Sequence, residues 1–220
     1  MKKLLFIAAC MFVLAAGSAR ADYIADLKVG GTYSSVPFVN NGVPTTEGGG
    51  SIDVSYLNGV QLPWLYCIGI NTVIYVPGDY AHTNVDTSSD AIVHGNGFTN
   101  DQVTNAGQVA WLLDHYATGG QGDHAVALQA AIWHVINGSN YYLASSASQT
   151  VKDDYNGMLS ALGNNSEDPS HFRWLSPQQT EGGPYSQGLV TVNPTPVPAA
   201  VWLLGSGLIG MVGIRRRFRK

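Results

Sequence analysis

The chain has 220 residues, of which 11 are basic and 15 are acidic, and its formal net charge is −4. Residues 22–193 keep all 15 acidic residues but only Lys28, Lys152 and Arg173 as basic ones, so the formal net charge of this stretch is −12. A body this acidic, without a basic stripe, argues against nucleic acid and against anionic lipid as partners.

The first 21 residues have the three parts of a secretory signal peptide. Two lysines precede an apolar run over residues 4–16, and Ala19-Arg20-Ala21 supplies the small residues of a cleavage site. We therefore predict that this segment is removed. Residues 22–193 then form the extracytoplasmic part, whose length suits one domain with its own core.

The N-terminal half of this body has a β-like pattern. Stretches rich in Val, Ile, Tyr and Thr, separated by Gly, Pro and Asn clusters, predict strands at residues 32–39, 51–56 and 64–76. Apolar and polar residues alternate over residues 51–56, which predicts a half-buried strand. The uniformly apolar residues 65–68 predict a strand covered on both faces, with Cys67 in the core or at its edge.

The middle of the chain changes to helical spacing. Apolar residues recur on one face over residues 105–117 and 125–136, and Asp123 is the predicted N-cap of the second helix. A third helix is predicted at residues 150–162. Residues 163–187 are predicted to be loops and residues 188–193 a closing strand, so the fold class is α+β: a β-rich N-terminal part, barrel or sandwich, with an inserted helical segment.

Cys67 and Gln129 are the two residues of the body that could carry chemistry together. Cys67 is the only cysteine of residues 22–193, so it forms no internal disulfide. Gln129 lies on an apolar helix face, where an unpaired carboxamide costs about 1–3 kcal/mol. In one interpretation Cys67 packs as a small hydrophobe and Gln129 bonds loop backbone. In the other, the Cys67 thiolate attacks the Gln129 carbonyl, ammonia leaves, and an internal thioester results.

Two short segments around these residues resemble the thioester domain, also called TQXA, of bacterial surface adhesins. They are Tyr66-Cys67-Ile68 and the helical Leu-Gln-Ala-Ala-Ile-Trp of residues 128–133. The resemblance covers roughly residues 63–136 and departs from the family at Gly69, where an acidic residue is frequent. It implies a thioester-domain-like fold with a bond between Cys67 and Gln129, which an amine or hydroxyl on a surface can open.

Three histidines lie near these elements and have the chemistry to move a proton. His124 and His134 stand five residues from Gln129, about 140° away around a helix, so we expect both at the surface. His115 lies on the neighbouring predicted helix. A further interpretation makes Cys67 and a histidine the nucleophile and base of a hydrolase. No histidine lies in a recognisable motif, and we predict that the protein is not an enzyme.

His82 and His94 accompany three aspartates in a polar stretch, Asp79, Asp86 and Asp90. Their spacing fits no established zinc or calcium pattern. We therefore expect a solvated loop rather than a metal site, and we predict no cofactor.

The last 27 residues form a three-part tail: a Pro-rich linker from residue 194, an apolar segment over residues 199–214, and an arginine cluster. The apolar segment would span about 24 Å as a helix against about 30 Å of hydrocarbon, which predicts a C-terminal single-span transmembrane helix with the arginines on the cytoplasmic side. Residues 197–207 resemble a PEP-CTERM sorting signal. That resemblance implies an exopolysaccharide-forming Gram-negative bacterium and an exosortase-type processing enzyme in the inner membrane as a partner.

Together these features predict an exported cell-surface or biofilm-matrix protein. Its internal Cys67–Gln129 thioester would attach it covalently to surface amines or hydroxyls, or to exopolysaccharide. The alternative is a non-covalent structural protein of the exopolysaccharide matrix that forms no thioester.

Overall fold

The computed structural model describes residues 22–193, which form an α+β fold. The strands in this part of the chain are β1 Tyr23–Val29, β2 Thr32–Asn40, β3 Val43–Asp53, β4 Tyr56–Leu57, β5 Val60–Gln61, β6 Tyr66–Cys67, β7 Gly78–Asp86, β8 Tyr142–Leu143, β9 Phe172–Ser176 and β10 Leu189–Val192. The α-helices are α1 Ala106–Tyr116, α2 Asp123–Asn137 and α3 Gln149–Leu162, and short 3-10 turns lie at Thr99–Asp101 and Pro169–His171.

The strands form two sheets rather than a closed barrel. The larger is an open half-barrel of seven strands in the order β5-β4-β1-β7-β9-β10-β6, and the smaller has the order β3-β2-β8. Strands from the C-terminal part, β9 and β10, therefore lie between β7 and β6. The closing strand predicted at residues 188–193 is therefore confirmed as β10, whereas β9 adds a strand that was not expected to the β-rich N-terminal part.

Two hairpins are fixed by Asn-Gly turns. Asn41 and Gly42 connect β2 to β3, and Asn58 and Gly59 connect β4 to β5; all four residues have positive φ angles, between 48° and 82°. Two-residue turns with this geometry match the twist of antiparallel strands, and Asn-Gly is the sequence that adopts it most readily. These turns set the registers Asn40↔Val43 and Leu57↔Val60.

The central helix is α2, which packs against both β2 and β3 and against the other two helices. Eleven of its fifteen residues are buried, because it is apolar around most of its circumference. The ring of Trp133 meets that of Phe38 on β2 edge to face, with centroids 5.4 Å apart. This packing holds the middle of α2, including Gln129, against the sheets.

The three predicted helices are confirmed, with ends that shift by at most two residues. The predicted N-cap of the second helix is wrong: Gly122 occupies that position and Asp123 is the first helical residue. The Asp123 carboxylate instead accepts a hydrogen bond from the Ser148 hydroxyl at 3.4 Å, which joins the start of α2 to the start of α3.

The strand predictions are confirmed at β2 and β10, and the other two are corrected. Residues 51–56 are not one half-buried strand, since β3 ends at Asp53 and the apolar Val54 is 49 % exposed, whereas the polar Ser55 is buried. Burial of Ser55 is tolerated because its hydroxyl donates to the Ile52 carbonyl and accepts from the Gly30 N–H. The predicted loops of residues 163–187 contain β9.

No helix within residues 22–193 is long and apolar enough to cross a membrane. The predicted signal peptide, residues 1–21, and the predicted linker, transmembrane helix and sorting signal, residues 194–220, lie outside the described residues.

Candidate functional site

Cys67 lies on β6, the edge strand of the larger sheet. Its neighbour is β10, with Leu189 opposite Cys67 and the Ile68 N–H donating to the Gly188 carbonyl at 2.7 Å. Every side chain from Leu65 to Ile68 is at most 1 % exposed. The prediction of a core strand covered on both faces is therefore confirmed.

Gln129 completes the hydrogen bonding of this edge strand. The Cys67 N–H donates to Gln129 Oε1 at 2.9 Å, and Gln129 Nε2 donates to the Cys67 carbonyl at 2.8 Å. The carboxamide thus occupies the place of a further strand, and it satisfies two backbone groups that would otherwise be buried and unpaired. The structure brings the two predicted site residues together, with both buried.

Gly49 on β3 makes this close approach feasible. A Cβ at this position would lie 2.6 Å from Gln129 Cγ and 3.1 Å from the ring of Trp133. Any side chain there would push α2 away from β3 and carry the carboxamide with it, because close-packed interiors do not absorb such overlaps. The glycine-rich stretch of β3 is therefore part of the site.

Burial raises the pKa of the Cys67 thiol to about 12. At neutral pH the group is a thiol, which corrects the expectation of a thiolate nucleophile: any attack on Gln129 must transfer the thiol proton in the same step. Activated cysteines of hydrolases have lowered pKa values and lie in electropositive, partly exposed surroundings. The environment of Cys67 does not favour the Cys-His hydrolase.

The histidines make contacts of their own. His124 Nε2 lies 3.1 Å from the Tyr116 carbonyl and His134 Nδ1 lies 2.7 Å from the Tyr141 carbonyl, while His115 stacks on Trp111. Both His124 and His134 are half-buried rather than fully at the surface as expected: the His124 side chain is 43 % exposed, and the His134 ring packs against that of Tyr155. Among residues 22–193, no histidine lines the cavity beside Cys67.

That cavity has a volume of about 220 Å³ and is open to solvent; Cys67 lies in its wall, whereas Gln129 does not line it. Its outer edge includes Tyr33 and Val73, which are 50 % and 68 % exposed. Its lining residues are Tyr33, Glu47, Gly48, Gly49, Ile52, Cys67, Ile70, Thr72, Val73, Ile74, Val76, Trp133 and Gln187. It is a route by which a small molecule could meet Cys67.

The segment after Cys67 forms one wall of the cavity and is held there by side chains from distant parts of the chain. Gln187 donates through its backbone N–H to the Val73 carbonyl at 3.1 Å and through Nε2 to the Gly69 carbonyl. Asn96 Oδ1 accepts from the Gly188 N–H and from the Thr72 hydroxyl. These bonds replace a strand ladder, so the strand predicted over residues 64–76 is reduced to the two residues of β6.

Sequence reasoning missed two polar residues of this site, Glu47 and Gln187. Trp133 belongs to the helical segment that the sequence singled out, four residues after Gln129 and therefore on the same face of α2. Nothing local to Glu47 or Gln187 marked them. Their places depend on the register of β3 and on the path of the chain before β10.

The stretch expected to be a solvated loop is in part a strand. His82 and Asp86 lie on β7, and Asp86 is 4 % exposed, with its carboxylate accepting from the N–H groups of Ser88 and Ile92. His94 pairs with Asp101 at 2.8 Å. In the part of the chain that the structure covers, no group of three or more His, Cys, Asp or Glu side chains is placed to hold a metal ion.

The comparisons with known proteins bear on this site. No curated protein and no solved structure gave a significant match. Residues 64–166 match the family model of the thioester domain, and this range contains β6, α1 and α2 and therefore both Cys67 and Gln129. Over that range the chain is similar to thioester domains, as the Tyr-Cys-Ile and Gln-Ala-Ala-Ile-Trp segments predicted, and such a domain is typical of a cell-surface protein.

Proposed function

We propose that the chain forms an internal thioester between Cys67 Sγ and Gln129 Cδ and uses it to attach covalently to amines or hydroxyls on a surface. The observation that carries this proposal is the reciprocal pair of hydrogen bonds, 2.9 and 2.8 Å long, that holds the Gln129 carboxamide against the Cys67 backbone. The match to the thioester domain over residues 64–166 supports it independently.

The bond-forming step balances with the groups at the site. The sulfur attacks Gln129 Cδ, the Cδ–Nε2 bond breaks, and the thiol proton moves to the leaving nitrogen, so that the products are a thioester and ammonia. The Cys67 N–H already donates to Gln129 Oε1, the atom on which negative charge develops during the attack. A preformed donor at that position stabilises the intermediate without reorganisation.

Burial protects the thioester from hydrolysis. Gln129 is fully buried and Cys67 is 1 % exposed, so bulk water has little access to the thioester carbonyl. A nucleophile that enters the cavity beside Cys67 would attack Cδ, form a new bond to the Gln129 acyl group, and release Cys67 as a thiol. The protein would then remain joined to its target through the side chain of Gln129.

The place of this reaction is the cell surface or the biofilm matrix. The signal peptide of residues 1–21 would direct export through the inner membrane of a Gram-negative bacterium. The tail of residues 194–220 would anchor the chain in that membrane until an exosortase-type enzyme processes it. The net charge of −12 over residues 22–193 suits a soluble domain outside the cell, where cationic amines are its attractive targets.

One observation favours the second candidate, a non-covalent structural protein of the exopolysaccharide matrix. The two hydrogen bonds that position Gln129 also satisfy its carboxamide completely, with no bond to sulfur. In that case Cys67 and Gln129 would stabilise the edge of the sheet and nothing more.

Intact-mass spectrometry of the purified full chain separates the two candidates. A thioester lowers the mass by one ammonia, methylamine abolishes this deficit by adding to Gln129, and the Cys67→Ala variant shows neither effect. A wild-type chain of full mass, with a Cys67 thiol that alkylates stoichiometrically on unfolding, would refute the thioester and leave the structural role.

A further inference from the structure

The cavity beside Cys67 is too small for a bulky ligand. Its volume of about 220 Å³ lies below the roughly 300–1,000 Å³ typical of sites for drug-sized molecules. Two of its lining side chains, Tyr33 and Val73, are exposed, whereas Cys67 lies in its buried wall. A nucleophile at the end of a slender chain fits these dimensions better than a folded oligosaccharide does.

The walls combine apolar and polar groups in similar amounts. Aliphatic side chains make up much of the lining, namely Ile52, Ile70, Val73, Ile74 and Val76. The stem of an alkyl chain would be removed from water against these groups, which is favourable by about 25 cal/mol for each Å² of apolar surface buried.

One carboxylate, Glu47, faces this cavity without a counter-charge. Its Oε1 accepts a hydrogen bond from the Thr45 hydroxyl at 3.0 Å, and it makes no ion pair with any residue of the range 22–193. Lys28, Lys152 and Arg173, the three basic residues of that range, are all absent from the lining. A negative charge in the wall of a cavity that lacks basic residues favours a cation there.

A second polar group in the cavity wall is unpaired. Trp133 is fully buried, and its ring N–H has no hydrogen-bond partner among the described residues. An unpaired buried donor costs about 1–3 kcal/mol. The nitrogen has no accessible surface in this structure, so the group that can bind an entering ligand is Glu47.

We propose that Glu47 is the specificity-determining residue of the attachment reaction: it binds the ammonium group of an incoming primary alkylamine and accepts the proton that this group must lose before it attacks. The inference rests on the proposed thioester. It makes a chain-end primary amine, such as a lysine side chain or an alkyl diamine, the preferred target over a neutral hydroxyl.

The protons and bonds of the step balance. An alkylamine is an ammonium ion at neutral pH, as a lysine with its ordinary pKa of about 10.4 shows. One proton passes to Glu47, the free amine attacks Gln129 Cδ, and the Cδ–Sγ bond breaks. Glu47 returns its proton to the departing sulfur, the new amide keeps one N–H, and the remaining proton goes to solvent. The products are an N-alkyl amide, the Cys67 thiol and one proton.

The buried surroundings of Cys67 favour protonation of the departing sulfur. Burial raises the pKa of this thiol to about 12, so the sulfur is released into an environment that favours its protonated form. A proton donor in the same cavity removes the need for a buried thiolate.

The test compares a charged and an uncharged nucleophile on the full chain. Glu47→Gln removes the charge at nearly constant size, and Glu181→Gln removes the same charge from an exposed residue outside the cavity as a matched control. The probes are n-butylamine, a cation at neutral pH, and hydroxylamine, which is uncharged there. Adduct formation is followed by intact mass after the ammonia deficit of each variant has been measured.

We expect Glu47→Gln to keep the ammonia deficit and to react with n-butylamine about 100-fold more slowly, the lower end of the effect of a positioned general base. Its rate with hydroxylamine and both rates of Glu181→Gln should equal those of the wild type. An unchanged n-butylamine rate with the deficit intact would overturn the role of Glu47 and leave the thioester standing. A wild-type chain without the deficit would refute the proposed function itself.

A measurement on the wild type keeps the inference testable if Glu47→Gln does not fold. Salt screens the attraction between Glu47 and a cation, so raising the ionic strength should slow n-butylamine and leave hydroxylamine unaffected. Equal salt dependence of the two probes would overturn the proposal. Faster capture of n-butanol than of n-butylamine would do the same, and would identify a hydroxyl as the preferred target.

Discussion

Replacing Gly49 by Ala should disable the site without touching either reacting residue. The added Cβ would lie 2.6 Å from Gln129 Cγ, 3.0 Å from Val36 Cγ2 and 3.1 Å from the Trp133 ring. Gln129 cannot swing aside at low cost, because both ends of its carboxamide are bonded to Cys67. Overpacking of this kind costs about 1–3 kcal/mol, to which any hydrogen bond lost at Cys67 adds.

Urea denaturation and intact mass measure the two consequences of Gly49→Ala. We expect an unfolding free energy lower by about 2–4 kcal/mol and loss of the ammonia deficit, because the carboxamide no longer meets Cys67. Gly157→Ala is the matched control, because Gly157 lies on the exposed face of α3 and no atom lies within 4 Å of the added Cβ. This substitution should raise the unfolding free energy by about 0.5–1 kcal/mol. A Gly49→Ala variant as stable as the wild type, with its deficit intact, would refute the packing argument.

Three further predictions follow from the site. In a Cys67→Ala background, which has no thioester, Gln129→Ala should lower the unfolding free energy measured by urea titration by about 2–4 kcal/mol, since two buried backbone groups lose their hydrogen-bond partner. An unfolding free energy that is unchanged within error would mean that water replaces the carboxamide. Gln187→Ala should release the wall formed by residues 68–77 and speed methylamine capture, because Gln187 bonds the Gly69 carbonyl; an unchanged rate would show that Asn96 alone holds this wall. The Gln129→Ala variant forms no thioester, so its Cys67 is a thiol. Burial raises the pKa of this thiol from 9.0 in the unfolded chain to about 12 in the folded protein. The contribution of the thiol to the unfolding free energy is therefore complete below pH 9 and is lost as the pH rises from 9 to 12. The double variant, Gln129→Ala with Cys67→Ala, should not show this loss of unfolding free energy between pH 9 and 12. Identical pH profiles of the single and the double variant would contradict the raised pKa of Cys67.

The helices and the reacting pair were predictable from sequence because their signals are local. Apolar spacing located all three helices to within two residues of their ends, since helical packing repeats every few positions. The Gln-Ala-Ala-Ile-Trp segment placed Gln129 on a buried face. The Tyr-Cys-Ile segment placed Cys67 in a covered strand. The Asn-Gly pairs at residues 41–42 and 58–59 are likewise local signals, typical of two-residue hairpin turns.

Two of the strands that sequence missed, β7 and β9, have a polar composition that obscures the strand pattern. β7 contains His82, Asn84 and Asp86, and its alternation is obscured because Asp86 is buried on bonds to loop N–H groups. β9 contains Arg173 and Ser176 and becomes a strand only between β7 and β10. Such pairing depends on contacts far apart in the chain, so tertiary structure overrides the local composition.

The cavity was beyond sequence reasoning for the same reason. Glu47 belongs to a Gly- and Thr-rich stretch that predicts no strand, and the β2–β3 register, Val36↔Glu47, places it beside the segment that follows Cys67. Gln187 meets Gly69 across 118 residues of sequence. Neither position carries a local pattern that differs from an ordinary exposed loop.

Mapping the cross-link in a peptic digest at acidic pH, without reducing agent, shows whether Cys67 Sγ is bonded to Gln129 Cδ. We expect one species that joins the peptide containing Cys67 to the peptide containing Gln129, with a mass lower by one ammonia than the sum of the two. Methylamine treatment before digestion should separate them into a free-thiol peptide and a peptide with N-methylated Gln129. Separate, unmodified peptides from the untreated native protein would show that no thioester joins Cys67 to Gln129.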